Sequence, residues 1–123
     1  MPYLISASLE IVREVLSGAR RHLVRPLFDI RPGELAYLAA GRKVYGRFYA
    51  GIVFIAPREN LGDLLQKLGE PPTAARSRHV VIIEVTNLTP CRKQVELRRS
   101  AVIKRLDERE VEELESSCGL SGV

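Results

Sequence analysis

Leu16-Ser-Gly-Ala-Arg-Arg-His-Leu-Val-Arg25 joins a helix end, a glycine stop and a basic strand, and Arg31-Pro-Gly33 follows it ahead of an apolar run. Reading backwards, Ser8 can cap a helix from Leu9 to about Ser17. Leu9, Val12 and Leu16 recur there at helical spacing, and Gly18 supplies the left-handed stop. Tyr3 to Ser6 is a short apolar start before that helix. Reading forwards, Arg20 to Arg25 has the pattern of a strand and Pro26 interrupts it. Arg31-Pro32-Gly33-Glu34 then places Pro and Gly as a tight turn with a third-position glycine requires, and Leu35 to Ala40 follows as a buried strand.

The remaining elements are mostly strands. Gly41-Arg42-Lys43 is a hairpin-like connection into Val44 to Ala56, a run too long to be flat, in which Gly46 and Gly51 mark bulges or bends. Asn60 caps a predicted helix through Leu68, ended by Gly69, and Pro71-Pro72 to Ser77 reads as a loop. His79 to Leu88 is a buried central strand, after which a turn at Pro90 lets Val95 to Arg98 pair, and Val102-Ile103 adds a last strand. Asp107 and Glu110 form a D-x-x-E capping box for a final helix, about residues 107–117, whose apolar stripe is Val111 and Leu114.

A chain of 123 residues with 46% hydrophobic and 28% charged side chains fits one globular domain, spanning residues 1–123, that needs no metal or disulfide staple. No apolar run approaches the roughly eighteen residues that would span a bilayer. The start has no basic flank before its apolar run, so a secretory signal is not expected and the reading is cytoplasmic. Asn occurs only at 60 and 87 and Gln only at 66 and 94, a composition that suggests a thermophilic source. The formal net charge of +4 conceals three blocks: net +5 over residues 13–47, net +6 over 76–105 and net −5 over 107–115. If the two basic blocks share a face, their field attracts polyanions, and the acidic block is a separate element.

The order of these elements resembles the PUA-like superfamily and, within it, the ASCH-type domains. In that group a helix ends in Gly-x-Lys-x-x-Glu-x-Arg and a Pro-Gly-Asp type of turn enters an apolar strand. Gly18 and Arg25 match the motif here, Arg20 stands at the lysine position and Leu23 at the glutamate position, and Arg31-Pro32-Gly33-Glu34 resembles the turn. The long strand Val44 to Ala56, the segment Lys67-Leu-Gly-Glu-Pro71 and the strand Val80 to Leu88 before Pro90 recur in the same order, so the likeness runs from residue 3 to about 100. It implies an α+β fold: a small, mainly β barrel with a helix after the first strand, to which the acidic C-terminal helix is an appendage.

The resemblance also implies RNA or other nucleic-acid binding in a cleft between the first helix and the barrel. The expected contact residues are Gly18, Arg20, Arg21, Arg25, Arg42, Lys43, Tyr45 and Arg47, with Arg98, Arg99, Lys104 and Arg105 as an extension. On the predicted strand Arg21 and Arg25 share one face and Arg20 points to the other. Arginine forks suit phosphate oxygens, and Tyr37, Tyr45 and Tyr49 could stack on single-stranded RNA or transfer RNA. The chain contains no Trp, so a Trp-lined cage for a flipped base is impossible.

Two other classes compete. Some ASCH-type proteins are amidohydrolases on acetylated cytidine and others cleave RNA, and the amidohydrolases resemble one another in using the motif lysine, a threonine three residues on and a distant glutamate. The matching positions are Arg20 and Leu23, neither of which is a base or a hydroxyl, while Glu84 reads as a structural ion-pair partner. A protein-interaction module acting through the acidic helix from Glu108 to Ser116 is the other class. No metal or cofactor is expected, because His22, His79, Cys91 and Cys118 lack ligand spacing. A Cys91–Cys118 disulfide suits a hyperthermophile and not an ordinary cytosol, so the pairing stays open, as does the oligomeric state.

Overall fold

The computed structural model describes residues 2–57, 79–97 and 102–118. The elements run β1 (Tyr3–Ser6), α1 (Leu9–Ser17), β2 (His22–Pro26), β3 (Leu35–Ala40), β4 (Lys43–Pro57), β5 (His79–Glu96), β6 (Ile103–Arg105) and α2 (Glu108–Ser117). The strands form one six-stranded sheet in the order β2-β5-β4-β3-β1-β6, curled into a half-barrel with β2 and β6 as its edges. Among the described strands β1 and β3 pair in parallel, joined by a crossover that runs through α1 and β2, and the other pairings are antiparallel.

Each face of the sheet has its own core. On one face α1 packs Ile11, Val12 and Val15 against Ile5, Leu23, Leu38, Phe48 and Ile83. The helix starts where Ser8 Oγ accepts the Ile11 N–H at 3.2 Å and stops at Gly18, whose φ of 83° is left-handed. Its buried stripe is Ile11, Val12 and Val15 rather than the Leu9, Val12 and Leu16 that spacing suggested; Leu9 is 39% exposed. On the other face α2 lays Leu114 and Cys118 on Leu4, Tyr37, Ala39 and Val44. The predicted capping box is formed, with Asp107 accepting from the Glu110 N–H at 2.8 Å.

The turn before β3 forms as its Pro-Gly sequence requires. Gly33 has a φ of 89°, the Glu34 N–H donates to Arg31 O at 3.2 Å, and the Gly33 N–H reaches Ala50 O at 2.7 Å. Irregularities in the β4–β5 ladder fall beside Gly46 and Gly51, as expected of a long strand that must curl.

Three expectations need correction. The basic strand begins at His22, not Arg20, since Arg20 and Arg21 still belong to the turn out of α1. No turn occurs at Pro90: β5 continues to Glu96, with Pro90 opposite Gly46 and Val95 opposite Val44. The irregularity between those two pairings takes up residues 91–94, and a proline beside it costs the ladder little. The last strand is Ile103–Arg105 rather than Val102-Ile103. The helix predicted from Asn60 to Leu68, the Pro71-Pro72 loop and Arg98 and Arg99 lie outside the described residues.

Cys91 and Cys118 form a disulfide, with Cα atoms 4.6 Å apart, which fastens the end of α2 to the irregular stretch of β5. It closes a loop across a separation of 27 residues, for which chain entropy gives a stabilisation of about 3 kcal/mol. Cys118→Ser is therefore expected to lower the unfolding free energy by about 3 kcal/mol. Denaturant unfolding of the oxidised wild type and the variant checks this, and coincident midpoints would show that the link stabilises nothing.

Candidate functional site

A cleft of about 290 Å³ opens where α1 ends beside β5, with Val15, Gly18, Arg20 and Arg21 on one side and Glu84, Val85, Thr86 and Leu88 on the other. Its shape follows from the helix stop. Gly18 turns the chain back, the Arg20 N–H donates to Glu14 O at 3.1 Å, and Arg21 O accepts the Val85 N–H at 2.7 Å, so the two arginines enter the cleft as the chain joins the sheet. The Arg20 side chain is buried and its Nε donates to Glu14 Oε2 at 2.9 Å. Arg21 is exposed and makes no ion pair among the described residues. One guanidinium is thus fixed by its own helix, and the next faces solvent.

The carboxylate of this cleft is held by a missing side chain. Glu84 Oε1 accepts the Ile52 N–H at 3.2 Å by lying across Gly51, where a Cβ would stand 2.1 Å from Glu84 Oε1 and 2.8 Å from Thr86 Cγ2. Thr86 Oγ1 donates to Tyr49 O at 2.7 Å on the same stretch. Sequence reading took Glu84 for an ion-pair partner; among the described residues it makes no ion pair. A glycine facing a carboxylate across two strands is the trace it leaves in the sequence, but only the strand register makes that trace readable.

The other expected contact residues are dispersed. Arg25 lies on the α1 face behind Leu23, is 7% exposed and donates from Nη1 to Val24 O at 2.7 Å, so it does not share an exposed face with Arg21. Arg42 and Lys43 sit at the β3–β4 turn, where Arg42 pairs with Glu96 at 2.7 Å near the far end of β5. Tyr45 is the extra residue of a bulge, because Val44 faces Ala39 and Gly46 faces Leu38. The bulge turns Tyr45 into the α1-side core, out of phase with Arg47 and Tyr49. Lys104 pairs with Glu110 at 2.5 Å, and Arg105 pairs with Glu34 at 2.7 Å while stacking over the Tyr3 ring at 4.0 Å. Partial burial acts to raise the Glu34 carboxyl, but hydrogen bonds from Arg105 and the Arg31 N–H outweigh it and hold the group below its ordinary value.

Arg47 occupies a second polar site, under α2. Its Nη1 donates to both oxygens of Glu115, at 2.7 and 2.8 Å, and the Tyr37 hydroxyl donates to the same carboxylate. Tyr37 and Arg47 are register partners on neighbouring strands, so they stand side by side on one face. Burial first, then the hydrogen bond and charge of Glu115, push the Tyr37 phenol well above its ordinary 10.0.

Solved structures with the same architecture are of an ASCH protein from Zymomonas mobilis. This chain matches it with a TM-score of 0.74 at 12% identity, covering 94% of each chain. A tyrosine-to-phenylalanine variant of that protein matches with a TM-score of 0.72 at 14% identity over 94% of this chain and 96% of that one, and a serine-to-alanine variant with 0.70 at 15% over 94% of each. No family model matches this chain, and no curated protein matches it.

Two outcomes test this geometry. Gly51→Ala drives Glu84 off the Ile52 N–H and is expected to cost about 1 kcal/mol; an unshifted denaturation midpoint would mean that Glu84 relocates freely. A phenol whose folded pKa is raised stabilises the fold fully below its ordinary 10.0 and loses that contribution as pH rises through the folded value. Wild type should therefore lose stability above pH 10.0. Tyr37→Phe, weaker at neutral pH by about 1–3 kcal/mol, should lose less over the same window. Parallel pH–stability curves would disprove it. The superposition over nearly the whole length, together with the curled six-stranded sheet and the helix after β1, shows that this chain has the fold of the Zymomonas mobilis ASCH protein.

Proposed function

We propose that this chain binds RNA, with the cleft at the end of α1 as its contact surface and Arg21 as the principal phosphate ligand. The observation that carries the reading is the juxtaposition in one cleft of Gly18, Arg20 and Arg21 with Glu84 and Thr86. An exposed guanidinium presents a planar fork to phosphate oxygens, and the neighbouring carboxylate is an acceptor suited to exocyclic amino groups of bases. Arg20 acts as a positioning residue, since its Glu14 bond fixes the cleft wall and leaves Arg21 for the ligand. The likeness in fold to an ASCH protein agrees with the nucleic-acid binding that the sequence resemblance implies.

One observation bears on the hydrolase reading. Glu84 does line the cleft, but Leu23 at the motif position is fully buried in the α1-side core and cannot meet a substrate there. Arg20 stays protonated and is already ion-paired, so the cleft lacks a base beside its carboxylate. Binding is the function these groups support best.

The test is titration of labelled single-stranded RNA, duplex RNA, transfer RNA and DNA across a salt series. Saturable binding to RNA is expected, and Arg21→Ala should reduce the slope of log affinity against log salt by about 0.7 for a single strand, the loss of one phosphate contact. An unchanged slope would remove Arg21 from the interface, and no binding at low salt would overturn the reading.

A further inference from the structure

The acidic helix α2 is held to the sheet by the apolar contacts of Val111, Leu114 and Cys118, the Glu115 clasp on Arg47 and Tyr37, the Lys104–Glu110 pair, the bond from the Arg92 N–H to Cys118 O and the Cys91–Cys118 disulfide. A ten-residue helix is marginal alone. It is acidic, with Glu108, Glu112 and Glu113 exposed and net charge −5 over residues 107–115 in a chain of net +4. Beneath it the Arg47 guanidinium and the Tyr37 hydroxyl converge on a single anionic group, the pairing of donors that also suits a phosphate. Tyr49, two residues from Arg47 on the same strand and exposed, offers a ring beside that point for a base to stack on.

We propose that Arg47 and Tyr37 form a second RNA-phosphate site, occupied by Glu115 while the Cys91–Cys118 disulfide holds α2 in place and opened when that disulfide is reduced. The inference rests on the RNA-binding reading of the cleft and adds its regulation. Reduction by a dithiol balances simply. One thiolate of the reductant attacks Cys91 Sγ, the sulfur–sulfur bond breaks and Cys118 leaves as a thiolate that takes up a proton. The second thiol of the reductant then displaces Cys91, so that the reductant ends as a disulfide and the protein as two thiols. Cys91 is only partly buried whereas Cys118 is fully enclosed, which makes Cys91 the point of attack. With the covalent tie gone, Glu115 is held at Arg47 only through the main chain from β6 and the non-covalent contacts of α2, so its effective concentration there falls and external phosphate competes better.

The experiment uses the full chain, oxidised or reduced with dithiothreitol, and follows amide hydrogen exchange over residues 108–118 together with binding of labelled oligouridylate across a salt series. Reduction is expected to speed exchange in α2, to raise oligouridylate affinity about tenfold at low salt and to steepen the salt slope by about 0.7. Arg47→Ala should abolish that gain and leave Arg21-dependent binding in place. Glu115→Gln, which keeps the disulfide, should raise the affinity of the oxidised form and narrow the difference between the redox states. Unchanged exchange on reduction would overturn the latch. Faster exchange with no gain in affinity, in a chain whose oxidised form binds RNA through Arg21, would overturn the second site and leave the cleft reading standing. No oligouridylate binding in either state would overturn both.

Discussion

The antiparallel pairing of β4 with β5 is the constraint on which the rest of this fold depends. The two longest described strands, of 15 and 18 residues, lie side by side, with β2 on the outer side of β5 and β3, β1 and β6 following β4. Strands of that length cannot stay flat, and register shifts beside Gly46, Arg47 and Gly51 let them curl. The curl gives the sheet an inner face deep enough to bury Phe48, Leu38 and Ile83 against α1, and an outer face on which α2 rests. At Gly46 the close approach is to backbone, since a Cβ there would lie 3.1 Å from Thr89 O.

Local sequence codes were legible because the forces behind them are local. Ser8, Gly18, the Pro32-Gly33 turn, β3 and the Asp107 capping box each rest on contacts within a few residues, and each forms where the sequence places it. The continuation of β5 through Pro90 was not legible, because it depends on Gly46 lying opposite on another strand. Tyr45 illustrates the same limit: alternation along β4 put it in phase with Arg47, and one extra residue against β3 reverses its face.

The arginines of the expected surface lie apart for a related reason. Blocks of charge along a chain predict a field only if the blocks remain apart in space, and here they interleave. Glu14, Glu34, Glu96 and Glu115 each take one arginine of the expected surface, across separations of 6, 71, 54 and 68 residues. Exposed pairs such as Arg42 with Glu96 contribute little to stability, yet they redistribute the positive potential. What survives near the cleft is one solvent-facing guanidinium, Arg21, with a fixed neighbour and a fixed carboxylate. Which side chains of the cleft beside α1 remain available is a question of tertiary contacts.

The turn at Arg31–Glu34 has a reach that its exposed position hides. Its Gly33 N–H is bonded to Ala50 O and its Glu34 O to the Ala50 N–H, so both backbone polar groups of Ala50 in β4 are taken by that turn. The next residues, Gly51 and Ile52, are the ones that cradle and bind Glu84. The turn and the cleft carboxylate are thereby joined through a single stretch of main chain, although they lie far apart in sequence. Drift in the turn sequence is consequently not neutral for the cleft, and the two regions must vary as one mutational unit.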